Sequence, residues 1–328
     1  MNEDSMNKTR YIYWSHIKMM RECPQKYLWT KGHPEHDLGN GFGEPKPLPP
    51  EEQRPSEHHM LMGSVLASVS ESFYKHEMWK EGFEKAQPKL EDLVRKEFVF
   101  QEQERYCLWT YMTREQCLDT CIEGMNNFLK IVHKNRLLGR QNFPEYKMTP
   151  PVNKYFNVCG IADLVFRSKE DKLYIVDGKN AMTPGKYEDP DQLRWYALCF
   201  RLQHKENPDK LGFYYFRYPS ENPPSELKYV DDKYKEDWTG FVEVSFDSED
   251  IKRLALEAIE TNKAIHRGVF EPNPIPKHCT NCNFESVCEE RQAQKARNAA
   301  KRGLRKSKIP NPVDGADGFL DFSMGKKS

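Results

Sequence analysis

Two stretches decide how this chain folds: Phe156-Asn-Val-Cys-Gly160-Ile-Ala-Asp163-Leu-Val-Phe-Arg167 and Leu173-Tyr-Ile-Val-Asp177-Gly-Lys179, joined by Ser168-Lys-Glu-Asp171. The flanks are rich in β-branched and aromatic residues and the middle is a polar turn former. Lys154–Arg167 and Lys172–Asp177 are therefore expected to pair as a hairpin. Leu173, Ile175 and Val176 make the second strand a buried one that runs straight into an acid. Residues i and i+2 of a strand share a face. Asp177 and Lys179 thus project together, and Asp163 reaches the same spot from across the hairpin. Two converging carboxylates with open positions suit Mg²⁺ or Mn²⁺, hard cations that prefer oxygen and keep bound waters. The Gly178 carbonyl is a further candidate ligand. Lys179, beside such a cation, is placed to orient or deprotonate a water and to stabilise charge on a phosphate. Read alone, a D-x-K after an apolar strand is equally an ordinary hairpin with solvated ends. Gln192 and Tyr196 add to it, because they stand i and i+4 on the next expected helix and share one face.

Working outward, the sequence predicts a first helix over Tyr11–Thr30, then a stretch from Lys31 to His58 with six prolines and four glycines. Such a composition holds neither helix nor strand, and reads as a surface loop or as a flap over a cleft. Helical periodicity resumes over Met60–Glu81 and Phe83–Glu104. It is cleanest at Cys117, Leu118, Cys121, Ile122, Met125, Phe128, Leu129 and Val132, a core-facing stripe that makes Cys117 and Cys121 small buried hydrophobes. Asp189–Gln203 is expected as a helix, Leu211–Tyr218 and Phe241–Phe246 as strands. A last helix, capped by Asp247 or Ser248, carries Ile251, Leu254, Ala258, Ile259 and Ile265.

The 328 residues carry 50 Lys+Arg against 50 Asp+Glu, a net charge of zero, so a DNA-binding argument must rest on local charge. No apolar run is long enough for a transmembrane helix, and Met1–Arg10 has no apolar core of the kind a secretory signal needs. An intracellular, reducing compartment, the cytoplasm, is the expectation, with no membrane partner. Nine cysteines argue for thiols or metal ligands rather than a disulfide framework. Cys279-Thr-Asn-Cys282-Asn-Phe-Glu-Ser-Val-Cys288 puts three thiols among prolines, one short of a tetrahedral set, and Cys23 in Cys23-Pro-Gln-Lys-Tyr27 is the obvious fourth. Four thiolates hold a [4Fe–4S] cluster or a zinc ion, and spacing alone does not choose; His278 is a substitute ligand for zinc. Arg291–Lys308 contains eight Lys/Arg and no acid, a basic arm for phosphates or a solvated helix. Beyond it, Asp314–Phe322 reads as a disordered tail or a docking peptide. Trp195 and Tyr196 are placed to stack on unpaired bases, or Trp195 to lie in the core.

Taken in order, G-x-x-D (Gly160–Asp163), D-x-K (Asp177–Lys179) and Q-x-x-x-Y (Gln192–Tyr196) resemble the PD-(D/E)XK nuclease superfamily, in particular its RecB-type branch. The cysteine arrangement resembles the iron–sulfur staple of the CRISPR-adaptation exonucleases, the AddB nuclease domain and exonuclease V. The resemblance spans roughly Ser15 to Cys288. It implies an α/β fold, a restriction-endonuclease-like mixed sheet flanked by helices, with a helical N-terminal elaboration and chain ends joined by a Cys₄ cluster. It further implies that Asp163 and Asp177 bind the metal, that Lys179 is catalytic and that Gln192 and Tyr196 position DNA. Cys23, Cys279, Cys282 and Cys288 would hold [4Fe–4S], with zinc the alternative.

The expected organisation is an N-terminal helix with the first cluster cysteine over 1–30, the Pro/Gly-rich loop over 31–58 and a helical region over 59–143. The nuclease core follows over 144–270, the cysteine cluster over 271–290, and the basic arm with its tail over 291–328. The expected activity is metal-dependent cleavage of single-stranded or end-bearing DNA in recombination, repair or processing. No P-loop occurs, so any unwinding comes from a helicase or recombination partner in trans. Members of the family usually carry G-x-x-H on an early helix; here Leu66 takes the histidine slot after Gly63. His58 and His59 read as solvated residues ending the loop, and Glu71 and Glu145 are candidate replacement acids. Two other readings follow: a silent DNA-binding adaptor of the same fold, or a zinc module that recruits a partner through the acidic–aromatic tail.

Overall fold

The structure, a computed structural model, describes residues 10–31, 56–104, 107–109, 111–181, 189–217, 239–280 and 282–307. Most of the Pro/Gly-rich stretch and the acidic–aromatic tail lie outside the described residues. The chain opens with β1 (Arg10–Tyr13), α1 (Trp14–Glu22), α2 (Pro24–Lys31) and β2 (Ser56–Glu57), and continues through α3 (His58–Lys75), α4 (Phe83–Glu104), β3 (Cys107–Leu108) and α5 (Arg114–Lys134). Then come β4 (Gln141–Met148), β5 (Pro151–Asn153), β6 (Phe156–Arg167), β7 (Leu173–Lys179), α6 (Pro190–His204), β8 (Lys210–Tyr215) and β9 (Phe241–Val244). Three helices close the described chain: α7 (Ser248–Arg267), the single turn α8 (Pro276–Cys279) and α9 (Glu289–Ser307).

The expected hairpin is the centre of a seven-stranded mixed sheet. β6 and β7 pair antiparallel from Arg167↔Leu173 to Leu164↔Val176, and α6 carries the chain over to β8, which lies parallel to β7. β9 closes that side antiparallel to β8. β4 runs antiparallel along β6, and β1 lies parallel to its start, with Arg10↔Phe156 and Tyr13↔Cys159 in register. Because strand neighbours point to opposite faces, Ile175 and Phe213 enter one core and Val176 and Tyr214 the other. The first core is closed by Ile12, Trp14 and Ile17 with Trp195, Ile251 and Leu254. The second is closed by α3–α5 through Leu61, Leu66, Leu90, Phe98, Cys121 and Phe128. The α/β fold, a mixed sheet flanked by helices, is as expected.

Local signals are obeyed where they are strong. The Thr113 hydroxyl and the Gln116 side chain form a reciprocal capping box at the start of α5, and Asp247 does the same with Asp250 for α7. Cys117 and Cys121 are fully buried, and burial raises both thiols, Cys121 to about 12. Other expectations are corrected. Tyr11–Thr30 is a strand, a helix, a break at Cys23 and a second helix, because pairing with β6 recruits Arg10–Tyr13 into the sheet. Strand structure begins at Gln141 rather than at the Lys154 run, since β4 and β5 cover the far edge of β6. β8 ends at Tyr215 and β9 at Val244, short of the expected Tyr218 and Phe246. Among the described residues no helix is long and apolar enough to cross a membrane.

Candidate active site

A strand has two hydrogen-bonding edges, and β6 uses both unevenly. One edge carries β4 and β5. The other carries β7 along Leu164–Arg167 and β1 along Phe156–Cys159, which leaves Gly160–Asp163 between them without a strand partner on that edge. One register step beyond Leu164↔Val176, where the ladder ends, Asp163 stands opposite Asp177. The Gly178 N–H donates to Asp163 Oδ2 at 2.7 Å in place of a ladder bond. On the far edge of β6, Glu145 sits between the Pro144↔Leu164 and Tyr146↔Ala162 pairs and so faces Asp163 as well. Its φ of 47° is left-handed, a conformation that costs a non-glycine residue about 1 kcal/mol or more. Glu145, Asp163 and Asp177 therefore form one row across three adjacent strands, whose spacing is about 4.8 Å.

The other polar groups converge on Asp177, which is 3% exposed. Lys179 Nζ lies 2.5 Å from its Oδ2, and Gln192 Nε2 donates to its Oδ1 at 3.1 Å. The same amide nitrogen donates to the Tyr196 hydroxyl at 2.8 Å, and Gln192 Oε1 accepts from Lys179 Nζ at 3.0 Å. One glutamine on α6 thus touches an acid, a lysine and a tyrosine. Lys179 Nζ also stands 5.1 Å from the centre of the Phe213 ring. Between acid and lysine only glycine fits, since a Cβ on Gly178 would lie 2.7 Å from the Tyr214 ring and hydroxyl.

Burial, and then the neighbouring Asp177, raise the Asp163 carboxyl well above the usual carboxylate range, with the Gly178 N–H opposing. Burial raises Asp177 too, against the Lys179 ammonium. Glu145 is raised by burial and by the like charges of Glu71 and Asp177. Acids held above their normal range in one spot are a site that a divalent cation relieves. Among the described residues no group of three or more His, Cys, Asp or Glu side chains is disposed to hold a metal ion as it stands. The donor chemistry, one buried and one half-buried carboxylate, still suits a hard cation.

The raised carboxyls set a sign for pH. Protons compete with the cation for Asp163 and Asp177, so Mn²⁺ affinity measured by calorimetry is expected to rise with pH above the ordinary carboxylate range of about 4. Stability in chelator runs the other way. Folded-state values above the unfolded ones contribute stability at low pH, which is lost as pH rises through the raised values. The melting temperature in chelator should fall on going from about pH 5 to about pH 8. Asp163→Asn should flatten that fall and added Mn²⁺ should reverse it.

α3 approaches the site along one stripe. Gly63 packs against Asn180, whose Nδ2 donates to the His59 carbonyl at 3.2 Å, and Glu71 lies near Glu145. Ala67 is the intervening i+4 position of that stripe. Leu66, assigned to the histidine slot, is fully buried against Gly124 of α5 and faces the helical core. His58 is corrected: it is 4% exposed and packs edge-on against His59 and Tyr111, while His59 is exposed as expected. Trp195 takes the core alternative, and Tyr196 is corrected as a stacking platform. Trp195 is fully buried with its N–H on the Cys159 carbonyl at 2.9 Å, and Tyr196 is 7% exposed, so neither ring is open to a base. Asn180 was missed, although it directly follows the D-G-K signal.

Cys23 ends α1, its N–H on the Met19 carbonyl at 2.8 Å, and lines one hollow with Cys279, Cys282 and Cys288. The Asn273 N–H points at Cys23 Sγ at 3.4 Å, and the Asn273 side chain donates to the Glu22 carbonyl at 3.3 Å. The N–H is the kind of donor that supports a sulfur ligand. Four thiols around one hollow are the donor set a thiolate-held group takes, though as they stand no three of them are disposed to hold a metal ion. His278 Nδ1 is 3.1 Å from the Glu22 carbonyl. In the basic arm, Arg291 and Lys295 both pair with Glu285, and Arg297 with Glu290.

Residues 14–289 match a family model described as the PD-(D/E)XK nuclease superfamily. No curated protein matches the chain. Among solved structures, the crystal structure of SSO0001 is similar at 17% identity over 59% of this chain and 80% of that one, with a TM-score of 0.28.

Proposed function

The chain belongs to the PD-(D/E)XK nuclease superfamily, and from that premise we propose that it is a metal-dependent deoxyribonuclease of the RecB-type branch, an exonuclease on single-stranded or end-bearing DNA. The observation that carries this reading is the Gln192 side chain, bonded at once to Asp177, Lys179 and Tyr196. An ordinary hairpin end has no reason to bury a carboxylate and a lysine under one glutamine. In this reading Asp163 and Asp177, with the Gly178 carbonyl as a further ligand, hold Mg²⁺ or Mn²⁺. A cation there supplies Lewis-acid polarisation of the phosphate and a hydroxide nucleophile near neutral pH. Lys179 leaves Asp177 for the phosphate and stabilises the charge that develops on it. Gln192 keeps acid and lysine in register, and Tyr196 anchors Gln192. Cys23, Cys279, Cys282 and Cys288 hold a [4Fe–4S] cluster that ties the chain ends together, with a role in recombination, repair or DNA processing alongside an unwinding partner.

The test is cleavage of end-labelled single- and double-stranded DNA by anaerobically purified protein, with Mg²⁺, Mn²⁺ or chelator. Metal-dependent cutting is the expected result. A second reading, a silent DNA-binding member, is favoured by the Gly63–Ala67–Glu71 stripe, which brings no imidazole to the site. DNA binding and Mn²⁺ binding without cutting would decide for it.

A further inference from the structure

Asp189 stands at the N-cap of α6 but its side chain accepts no hydrogen bond from its own helix. An aspartate at that position ordinarily caps the N–H groups two and three residues on. Here its Oδ2 instead accepts the Trp14 indole N–H from α1 at 3.0 Å and sits 3.6 Å from Lys18 Nζ. Two residues on, Asp191 is gripped by three arginines from three helices. Arg253 of α7 binds it with both nitrogens at 3.0 and 2.6 Å, Arg194 of α6 at 3.1 Å and Arg21 of α1 at 3.1 Å. Burial pushes that carboxyl up, and the three guanidiniums outweigh it, down to about 2. Arg21 is in turn fastened to Glu257 of α7 and lies over the Trp14 ring. Gln192 is the residue between these anchors and the site: it follows Asp191, and its N–H bonds the Asp189 carbonyl at 2.8 Å.

We propose that Asp189 and Asp191 are positioning residues, through which α1 and α7 hold the first turn of α6 and thereby set Gln192 against Asp177 and Lys179. This rests on the nuclease reading of that site, and it adds a physical link: α1 ends in Cys23, so the thiol hollow and the acid–lysine site share one helix. The forgone cap is the sign. Stability local to α6 is given up for a bond that fixes where α6 begins, and a displacement of about 1 Å at a reacting group costs up to about a hundredfold in rate.

The test is a double-mutant cycle of Asp191→Asn with Gln192→Ala, read in two ways: single-turnover cleavage rate and Mn²⁺ affinity, the latter because Gln192 bonds Asp177. Asp191→Asn alone is expected to slow cleavage about tenfold and to weaken Mn²⁺ several-fold, at a DNA KM changed less than about twofold. In the Gln192→Ala background the same substitution should change neither, since its route to the site is gone. Trp14→Phe keeps an aromatic ring in the core and removes the indole N–H that bonds Asp189, together with the second ring of the indole. It should reproduce the deficit in a chain that circular dichroism shows to be folded, at a melting temperature lowered by the lost ring. Independent, multiplying effects of Asp191→Asn and Gln192→Ala, or no effect of Trp14→Phe, overturn the proposal. An unsubstituted chain that binds Mn²⁺ but does not cut overturns the nuclease reading alone, and the cycle on Mn²⁺ affinity then decides this one. A chain that does neither overturns both.

Discussion

Lys179→Ala is expected to lower the single-turnover rate of DNA cleavage by about 10³-fold while Mn²⁺ still binds. Removing one preorganised donor aimed at developing charge costs about 10²–10³ in rate. Here the loss is compounded, because the same ammonium holds Asp177 Oδ2 at 2.5 Å and Gln192 Oε1 at 3.0 Å. Without it Asp177 is a buried carboxylate with only Gln192 left, so it takes up a proton more readily. The variant's Mn²⁺ affinity should accordingly fall at about pH 6 and recover at about pH 8. Circular dichroism and a melting curve establish that the variant is folded. Cutting by folded Lys179→Ala at the unsubstituted rate would remove the lysine from the mechanism. Loss of Mn²⁺ binding at every pH would make it a structural counter-charge instead.

The second large effect is expected at the thiol hollow. Anaerobically purified protein should contain iron and acid-labile sulfide in comparable amounts, and Cys23→Ala should lose both and melt about 10 °C lower. Cys23 and Asn273 meet across 250 positions, and tying together chain segments that far apart is worth about 5 kcal/mol by chain entropy. For a chain of this size that is on the order of 10 °C. Zinc without sulfide would convert the hollow to a structural zinc site. Neither metal, with a melting temperature indifferent to Cys23→Ala, would leave four ordinary thiols.

The order in which residues were legible follows the range of the forces that place them. The β6–β7 hairpin, the bounds of α4 and the burial of Cys117 and Cys121 rest on periodicity and turn chemistry within a few residues, and all were readable. The convergence of Asp163, Asp177 and Lys179 followed from strand alternation, and the face shared by Gln192 and Tyr196 from helical spacing. β1 was not readable, because Arg-Tyr-Ile-Tyr runs into helix-compatible sequence and becomes a strand only when β6 offers it an edge. β4 hid behind Pro144 and its polar neighbours. Glu145 was visible as an acid, but its place in the row depends on β4–β6 register and on a left-handed residue that no local pattern announces. His58 and Tyr196 look polar in sequence and are buried by tertiary contacts alone. The uncapped Asp189 is a case where the local rule fails because a distant indole competes for the carboxylate.

The pairing of the first strand with the middle of the chain also has a temporal side. During synthesis the ribosome makes Cys23 and then 250 more residues before Asn273 exists to meet it. At 5–20 residues per second that interval is roughly 10–50 s. The α3–α5 layer and the β4–β7 meander can assemble in that time. Ile12, Trp14 and Ile17, fully or nearly fully buried at the end, must wait for β6, α6 and α7 to cover them. Until then Ile12, Trp14 and Ile17 are an apolar stretch of the nascent chain with nothing to cover it.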